Sequence, residues 1–229
     1  MKLITLTNDG YIEYTENLLI SLRNVGINDL NIYCVGQKSY NYFKNKGFLV
    51  RLINTNIISN ANKFQNWRTK NFNKLMFYKL KLVHEELKSN KRVLYIDGDI
   101  VFLRNTLEEI ENTKNFDIVG QFDFNPVSDV KTLCAGFMMI NSNEKTLNLF
   151  DPEKVPQELL NRKFHFDDQK YINRNINNLK YDFFDLKDYP NGAYFYKNYK
   201  NLNPAIIHFN YIVGDKKKQK MQEMGYWYL

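Results

Sequence analysis

Between Leu3 and Ile96, short apolar runs alternate with segments of helical spacing. Leu3 to Leu6 reads as a strand, and Leu18, Leu19, Leu22 and Val25 then recur as one face of a helix does. Leu30 to Val35 is a second strand, Tyr40 to Lys46 a short helix and Phe48 to Ile53 a third strand. Asn54 to Lys70 is polar and Asn-rich and reads as a surface loop. Phe72 to Leu87 is the clearest helix, and it leads straight into the run Val93 to Ile96. A chain that passes through a helix between strands builds a mainly parallel sheet with helices on both faces.

The second half is less regular. Strands are predicted at Ile118 to Phe122, Phe137 to Asn141, Tyr181 to Leu186 and Ala205 to Phe209. Short helices are predicted at Glu144 to Phe150 and Asp168 to Asn175. No internal repeat and no linker divides the chain, and 229 residues suit one α/β domain with a large core.

At the end of the Val93 to Ile96 run stand Asp97, Gly98 and Asp99, followed by the apolar Ile100 to Leu103. Residues two apart in a strand share a side, so both carboxylates are expected to aim one way at the C-terminal edge of the sheet. Open α/β sheets bind their ligands at that edge. Two neighbouring carboxylates repel, and a divalent cation relieves the repulsion; oxygen ligands shared with substrate phosphates suit Mg²⁺ or Mn²⁺. Gly98 would let a ligand approach the backbone. The plainer alternative is a β-hairpin with Asp-Gly at its turn and both carboxylates in water.

Lys79 adds independent weight. At about 100° per residue, Phe72, Leu75, Met76, Leu80, Val83 and Leu87 form one apolar arc, and Lys79 falls near its centre. A charge there either snorkels out or meets an anion. If the anion is a ligand, Lys79→Met leaves the fold intact and weakens nucleotide binding. His208 follows an apolar run and precedes Gly214 and the cluster Lys216, Lys217, Lys218 and Lys220. Neutral imidazole is an ordinary metal ligand, and glycine followed by lysines suits a diphosphate. One carboxylate of Asp167 and Asp168 is expected to cap the helix that follows.

The formal charge of +7 favours anionic partners, although the basic residues are spread along the chain. Cys34 and Cys134 make no disulfide framework, and the MKLITLTNDGY start has too short an apolar core for a signal peptide. A cytoplasmic, soluble protein is the expectation. The basic and aromatic stretch Lys216 to Leu229 allows peripheral membrane contact.

Taken together, six segments resemble, in family order, GT-A-fold glycosyltransferases of the glycogenin-like, nucleotide-diphospho-sugar transferase group. LTNDGY resembles the family's first strand and nucleoside-binding turn, which assigns that role to Thr7, Asn8 and Tyr11. KLMFYKLKLVHEEL resembles the helix bearing a donor-binding basic residue, here Lys79. VLYIDGDIVFLRN is similar to the D-x-D strand, and HFNYIVGDKK to the segment with the late histidine, which makes Asp97, Asp99 and His208 the implied metal ligands. The same segments imply donor contacts at Gly98, Gly214 and Lys217, the lysine being chosen over Lys216 by its spacing from Gly214. LCAGFMMINS resembles a sugar-contacting turn and assigns Gly136, with Cys134 where relatives carry Asn. FDDQKYIN is similar to the segment lining the catalytic centre and assigns Asp168 and Gln169.

The resemblance implies a single Rossmann-like GT-A domain, with a nucleotide-binding half (1–105), a sugar- and acceptor-binding half (106–229), and a Mn²⁺ or Mg²⁺ cofactor. It implies transfer from a nucleotide sugar, UDP-linked by family habit, to a glycan, protein or small-molecule acceptor, with retention of configuration. Two rivals are weighed against it. Asp97 to Val101 fits the nucleophile motif of a Mg²⁺-dependent haloacid-dehalogenase phosphatase, but lies mid-chain and lacks the late acidic pair. A basic nucleic-acid-binding module needs exposed stacking aromatics, whereas most here sit within apolar runs, so no nucleic-acid partner is expected.

Overall fold

The computed structural model describes residues 1–53, 63, 69–154 and 167–229. The loop expected over Asn54 to Lys70 lies almost wholly outside these residues. The first half follows the expected alternation: β1 (Lys2–Asn8), α1 (Ile12–Asn24), β2 (Asn31–Val35), α2 (Gln37–Asn45), β3 (Val50–Leu52), α3 (Lys70–Ser89) and β4 (Arg92–Ile96). After β4 come β5 (Ile100–Phe102), α4 (Leu107–Glu111), β6 (Ile118–Phe122), β7 (Leu133–Asn141) and α5 (Glu144–Phe150). The C-terminal part holds α6 (Asp168–Asn175), β8 (Tyr181–Phe183), α7 (Gly192–Asn198), β9 (Ile206–His208) and α8 (Asp215–Glu223).

Among the described residues, the main sheet has seven strands in the order β3-β2-β1-β4-β7-β6-β8. Only β7 runs against the others: it is antiparallel to β4 and β6, while the remaining neighbours are parallel. The chain builds outward from β1 to β3, then returns to the other side of β1 with β4. That reversal leaves a crevice beyond the C-terminal ends of β1 and β4, the switch point where open α/β sheets take ligands.

The apolar runs of the central strands are continuous because both of their faces are covered. Ile4, Val93 and Tyr95 pack with Leu80, Val83 and Leu87 of α3 on one face. Leu3, Leu94 and Ile96 pack with Leu18 and Leu22 of α1 on the other. Thr69 starts α3 by accepting a hydrogen bond from the Phe72 amide, as an N-cap residue does.

β5 departs from expectation. It leaves the main sheet and pairs antiparallel with β9, Ile100 opposite His208. A third apolar cluster supports this small sheet: Val101, Ile207 and Phe209 pack with Tyr14 of α1, Phe195 of α7 and Met221 of α8. Among the described residues, three α-helices were not foreseen: α4 and α7 are short, and α8 is too polar to show an apolar face. No helix among the described residues is long and apolar enough to cross a membrane.

Candidate active site

Asp97 and Asp99 are not on a strand, contrary to the two-residue spacing argument. β4 ends at Ile96, and the Ile100 amide donates to the Asp97 carbonyl at 3.2 Å, closing a turn over Asp97 to Ile100. The turn does not form a hairpin either, because β5 pairs with β9 and not with β4. That pairing brings His208 to the turn: the Phe209 amide donates to the Asp99 carbonyl at 3.0 Å. His208 Nε2 then stands 3.3 Å from Asp99 Oδ1 and 4.0 Å from Asp97 Oδ2.

These three side chains offer donor atoms within 4.8 Å of one another. Around an octahedral ion with bonds of about 2.1 Å, ligand atoms stand roughly 3 to 4.2 Å apart. Two carboxylates and one imidazole at these separations fit Mn²⁺ or Mg²⁺ with little movement, and the remaining positions suit water and phosphate oxygens.

The site is strongly polarised. Burial works against ionisation of Asp99, but Lys217 and His208 outweigh it and hold the carboxyl far below the usual range. Burial likewise opposes a charge on His208, and the Asp99 carboxylate overcomes it, lifting the imidazole to about 10. Lys217 forms an ion pair with Asp99 and donates to the Tyr11 hydroxyl at 3.1 Å. Burial and the charges of Asp99 and Asp97 raise the Tyr11 phenol well above its ordinary value, so it stays protonated. Lys216 is exposed, and Lys218 and Lys220 pair with Glu13 and Glu223.

Lys79 is 1% exposed, so it does not snorkel. Its ammonium meets protein carboxylates: Asp168 Oδ2 at 2.8 Å and Asp97 Oδ1 at 3.5 Å. It also lies over the Tyr95 ring, whose hydroxyl donates to Asp97 Oδ1 at 2.9 Å. Burial would strip the proton from Lys79, but Asp168 and Asp97 outweigh it and keep the lysine charged. Asp167 caps α6 through the Lys170 amide, which leaves Asp168 for the lysine.

β7 shapes the rest of the site. Against β6 its register jumps from Met138 opposite Gly120 to Cys134 opposite Gln121, so Ala135, Gly136 and Phe137 bulge. Cys134 to Gly136, expected as a turn, therefore lies inside a strand. The bulge frees the Ala135 amide from β6, and it donates to Gln169 Oε1 at 3.3 Å; on the β4 side the ladder continues one rung past Ile96–Phe137, the Gly136 carbonyl accepting from the Asp97 amide at 2.7 Å. A Cβ on Gly136 would lie 2.4 Å from His208 Cε1 and 2.6 Å from Asp97 Oδ2, so only glycine lets the two approach. Gly98 has a different reason from the one expected. A Cβ there would lie 2.9 Å from Thr15 Oγ1 and 3.2 Å from the Tyr11 ring, so protein atoms occupy its open side.

Thr7 and Asn8 end β1 beside the turn, but their side chains are engaged within the protein. Thr7 Oγ1 accepts from Thr15, and Asn8 accepts from the Gly10 amide and donates to the Lys63 carbonyl. Gly214, at φ +62°, precedes α8, and its carbonyl accepts from the Lys217 amide. Cys134 Sγ sits 3.6 Å from His208 Nδ1, on the far side of the ring from the aspartates. Asp97, Asp99, His208, Lys217, Tyr11, Lys79, Asp168 and Gly136 thus form one connected cluster.

A family model for nucleotide-diphospho-sugar transferases matches residues 27–224. The chain belongs to the nucleotide-diphospho-sugar transferase family. This transferase-family chain is 25% identical over 279 aligned residues to a UDP-galactose:fucoside α-3-galactosyltransferase of Dictyostelium discoideum. It spans 43% of that relative's length, so less than half of the relative is represented here. In structure it resembles the galactosyltransferase LgtC, solved with donor and acceptor sugar analogues, with a TM-score of 0.63 at 12% identity over 100% of this chain and 97% of that one. It also resembles mouse xyloside xylosyltransferase 1, with a TM-score of 0.60 at 15% identity over 92% and 97% of the two chains. The fold is that of GT-A glycosyltransferases, and the phosphatase reading of the same aspartates has no remaining support.

Sequence reasoning missed several polar residues that this transferase-family chain builds around the site. Gln121, fully buried, accepts at 2.7 Å from His208 Nδ1. Asp123 accepts from Gln169 at 2.8 Å and from Asn191 at 3.0 Å. The only signal for Gln121 was a polar residue inside the apolar run Ile118 to Phe122.

Two expectations follow. Lys79→Met, which the sequence alone made harmless to the fold, now leaves Asp168 buried without its partner and should cost about 3–5 kcal/mol. Adding Asp168→Leu should restore much of that loss in a urea-unfolding double-mutant cycle, and simple additivity would contradict the pairing. Gly136→Ala should weaken Mn²⁺ binding by at least about tenfold, the scale of a disturbed ligand setting. Titration calorimetry giving an unchanged affinity would mean that the ring and carboxylate are not held against this glycine.

Proposed function

We propose that the chain transfers a sugar from a UDP-sugar to an acceptor hydroxyl with retention of configuration, using Mn²⁺ or Mg²⁺ held by Asp97, Asp99 and His208. The observation that carries this reading is the convergence of those side chains and Lys217 at the β1–β4 switch point of a family-typical fold. UDP-galactose, the donor named for the Dictyostelium relative, is the first donor to test.

In this reading residues 1–105 supply the nucleotide half, with Thr7 and Asn8 at the end of β1 and Tyr11 at the start of α1. A bound divalent cation supplies Lewis-acid stabilisation of the charge that grows on the leaving diphosphate. Lys217, near the start of α8 beyond Gly214, places an ammonium and a helix N-terminus beside that charge. Lys79 lies behind Asp97 and Asp168 and offsets their repulsion of the incoming phosphates. Gln169, fixed by the Ala135 amide and Asp123, presents its amide to the reacting sugar, and Asp168 contributes its charge from beneath. The acceptor hydroxyl attacks the anomeric carbon on the face from which the diphosphate departs. A phosphate oxygen of the leaving group takes the acceptor's proton, so no separate base is needed.

A thermal-shift screen of UDP-, GDP- and TDP-sugars with Mn²⁺ or Mg²⁺ tests the reading, because a ligand that binds only the folded chain raises its melting temperature. A rise is expected with a UDP-sugar in the presence of metal. In Asp99→Asn the metal-dependent rise should vanish and turnover should fall at least about a thousandfold, roughly 4 kcal/mol of transition-state stabilisation. Undiminished turnover in a folded Asp99→Asn chain would sink the reading.

A further inference from the structure

Gln121 is 0% exposed, on the second-last residue of β6. Its amide nitrogen lies 3.1 Å from the Tyr189 carbonyl and 2.9 Å from the Pro190 carbonyl. Both of those partners can only accept, so both amide hydrogens point at them. A flipped amide would set its oxygen against two carbonyl oxygens in a buried space, which nothing there would compensate. Gln121 Oε1 is therefore committed to the other side, where His208 Nδ1 lies 2.7 Å away.

An amide oxygen cannot donate. The hydrogen in this contact must come from the imidazole, so Nδ1 carries a proton. Cys134 Sγ, at 3.6 Å, is the other described side chain near Nδ1, and a thiol is too weak a partner to reverse that choice. With Nδ1 held protonated, Nε2, the atom that faces Asp97 and Asp99, is the nitrogen that gives up its proton and coordinates when a cation binds.

The placement of Gln121 is a product of the strand irregularity. Its position opposite Cys134 exists only because β7 bulges between Cys134 and Met138, and such bulges re-aim side chains beside functional sites. The anchoring carbonyls lie just before Asn191, the residue that caps α7. Gln121 thus ties the sheet edge, the Tyr189–Pro190 backbone and the His208 ring into one rigid unit.

We propose that Gln121 is the positioning residue that fixes the His208 tautomer and ring plane, presenting Nε2 to a divalent cation. The inference rests on the reading of Asp97, Asp99 and His208 as metal ligands and adds a residue that this reading does not contain. Gln121 touches neither the cation nor the substrate; it acts through the histidine.

The test combines titration calorimetry with Mn²⁺ and imidazole ¹⁵N spectroscopy with Mg²⁺, on the wild-type chain and Gln121→Met. In the Mg²⁺-loaded wild type, His208 should show a protonated Nδ1 whose hydrogen exchanges slowly with solvent. In Gln121→Met that slow hydrogen should be lost, and Mn²⁺ affinity should fall about ten- to a hundredfold, the usual cost of removing such a partner. A melting curve close to that of the wild type shows that the variant folds; if it does not, the wild-type spectrum decides alone. An unprotonated Nδ1 in the wild type, or a folded Gln121→Met chain that binds Mn²⁺ equally well, overturns the inference by itself. A wild-type chain that binds no Mn²⁺ overturns the metal-ligand reading, and the inference falls with it.

Discussion

Charge compensation at the end of β4 is the constraint from which most of this structure follows. Asp97, Asp99 and Asp168 crowd one region, and Asp99 and Asp168 are almost closed to water, where an uncompensated carboxylate would cost several kcal/mol. The compensating groups are Lys79, His208 and Lys217, each from a different element. None of them can reach the aspartates unless the fold places α3, β9 and α8 around one turn. The sheet order, the β5–β9 pairing and the third apolar cluster under α8 are the means by which that happens.

The backbone does as much as the side chains. A regular β7 would turn the Ala135 amide to β6 and take it from Gln169. The bulge spends that pairing on the site instead. Gly136 and Gly98 are then both steric necessities, one for the approach of His208 to Asp97 and the other for the packing of α1 on the turn.

Much of the fold was legible because buried parallel strands announce themselves as unbroken apolar runs, as at Val93 to Ile96 and Leu30 to Val35. Lys79 was legible because a charge in an apolar helical arc is conspicuous. What it meets was not, since the sequence cannot say that Asp168, far along the chain, folds back onto it. The Asp97–Gly98–Asp99 geometry was misread because a strand and a turn both bring residues two apart together, and only the β5–β9 pairing decides between them. α8 was invisible because it is held by one buried methionine, Met221, and not by an apolar face. Gln121 was passed over because its role depends on a register jump, which no local pattern reports.

The central claim is that Asp97, Asp99 and His208 hold one divalent cation through two carboxylates and a single imidazole nitrogen. Pulsed electron paramagnetic resonance of the chain loaded with one equivalent of Mn²⁺ tests it most directly, since a coordinated imidazole couples its ¹⁴N nucleus to the metal electrons. The account expects the coupling of one nitrogen in the wild type and none in His208→Ala. Mn²⁺ bound without nitrogen coupling, or with the same coupling after the histidine is removed, would contradict it.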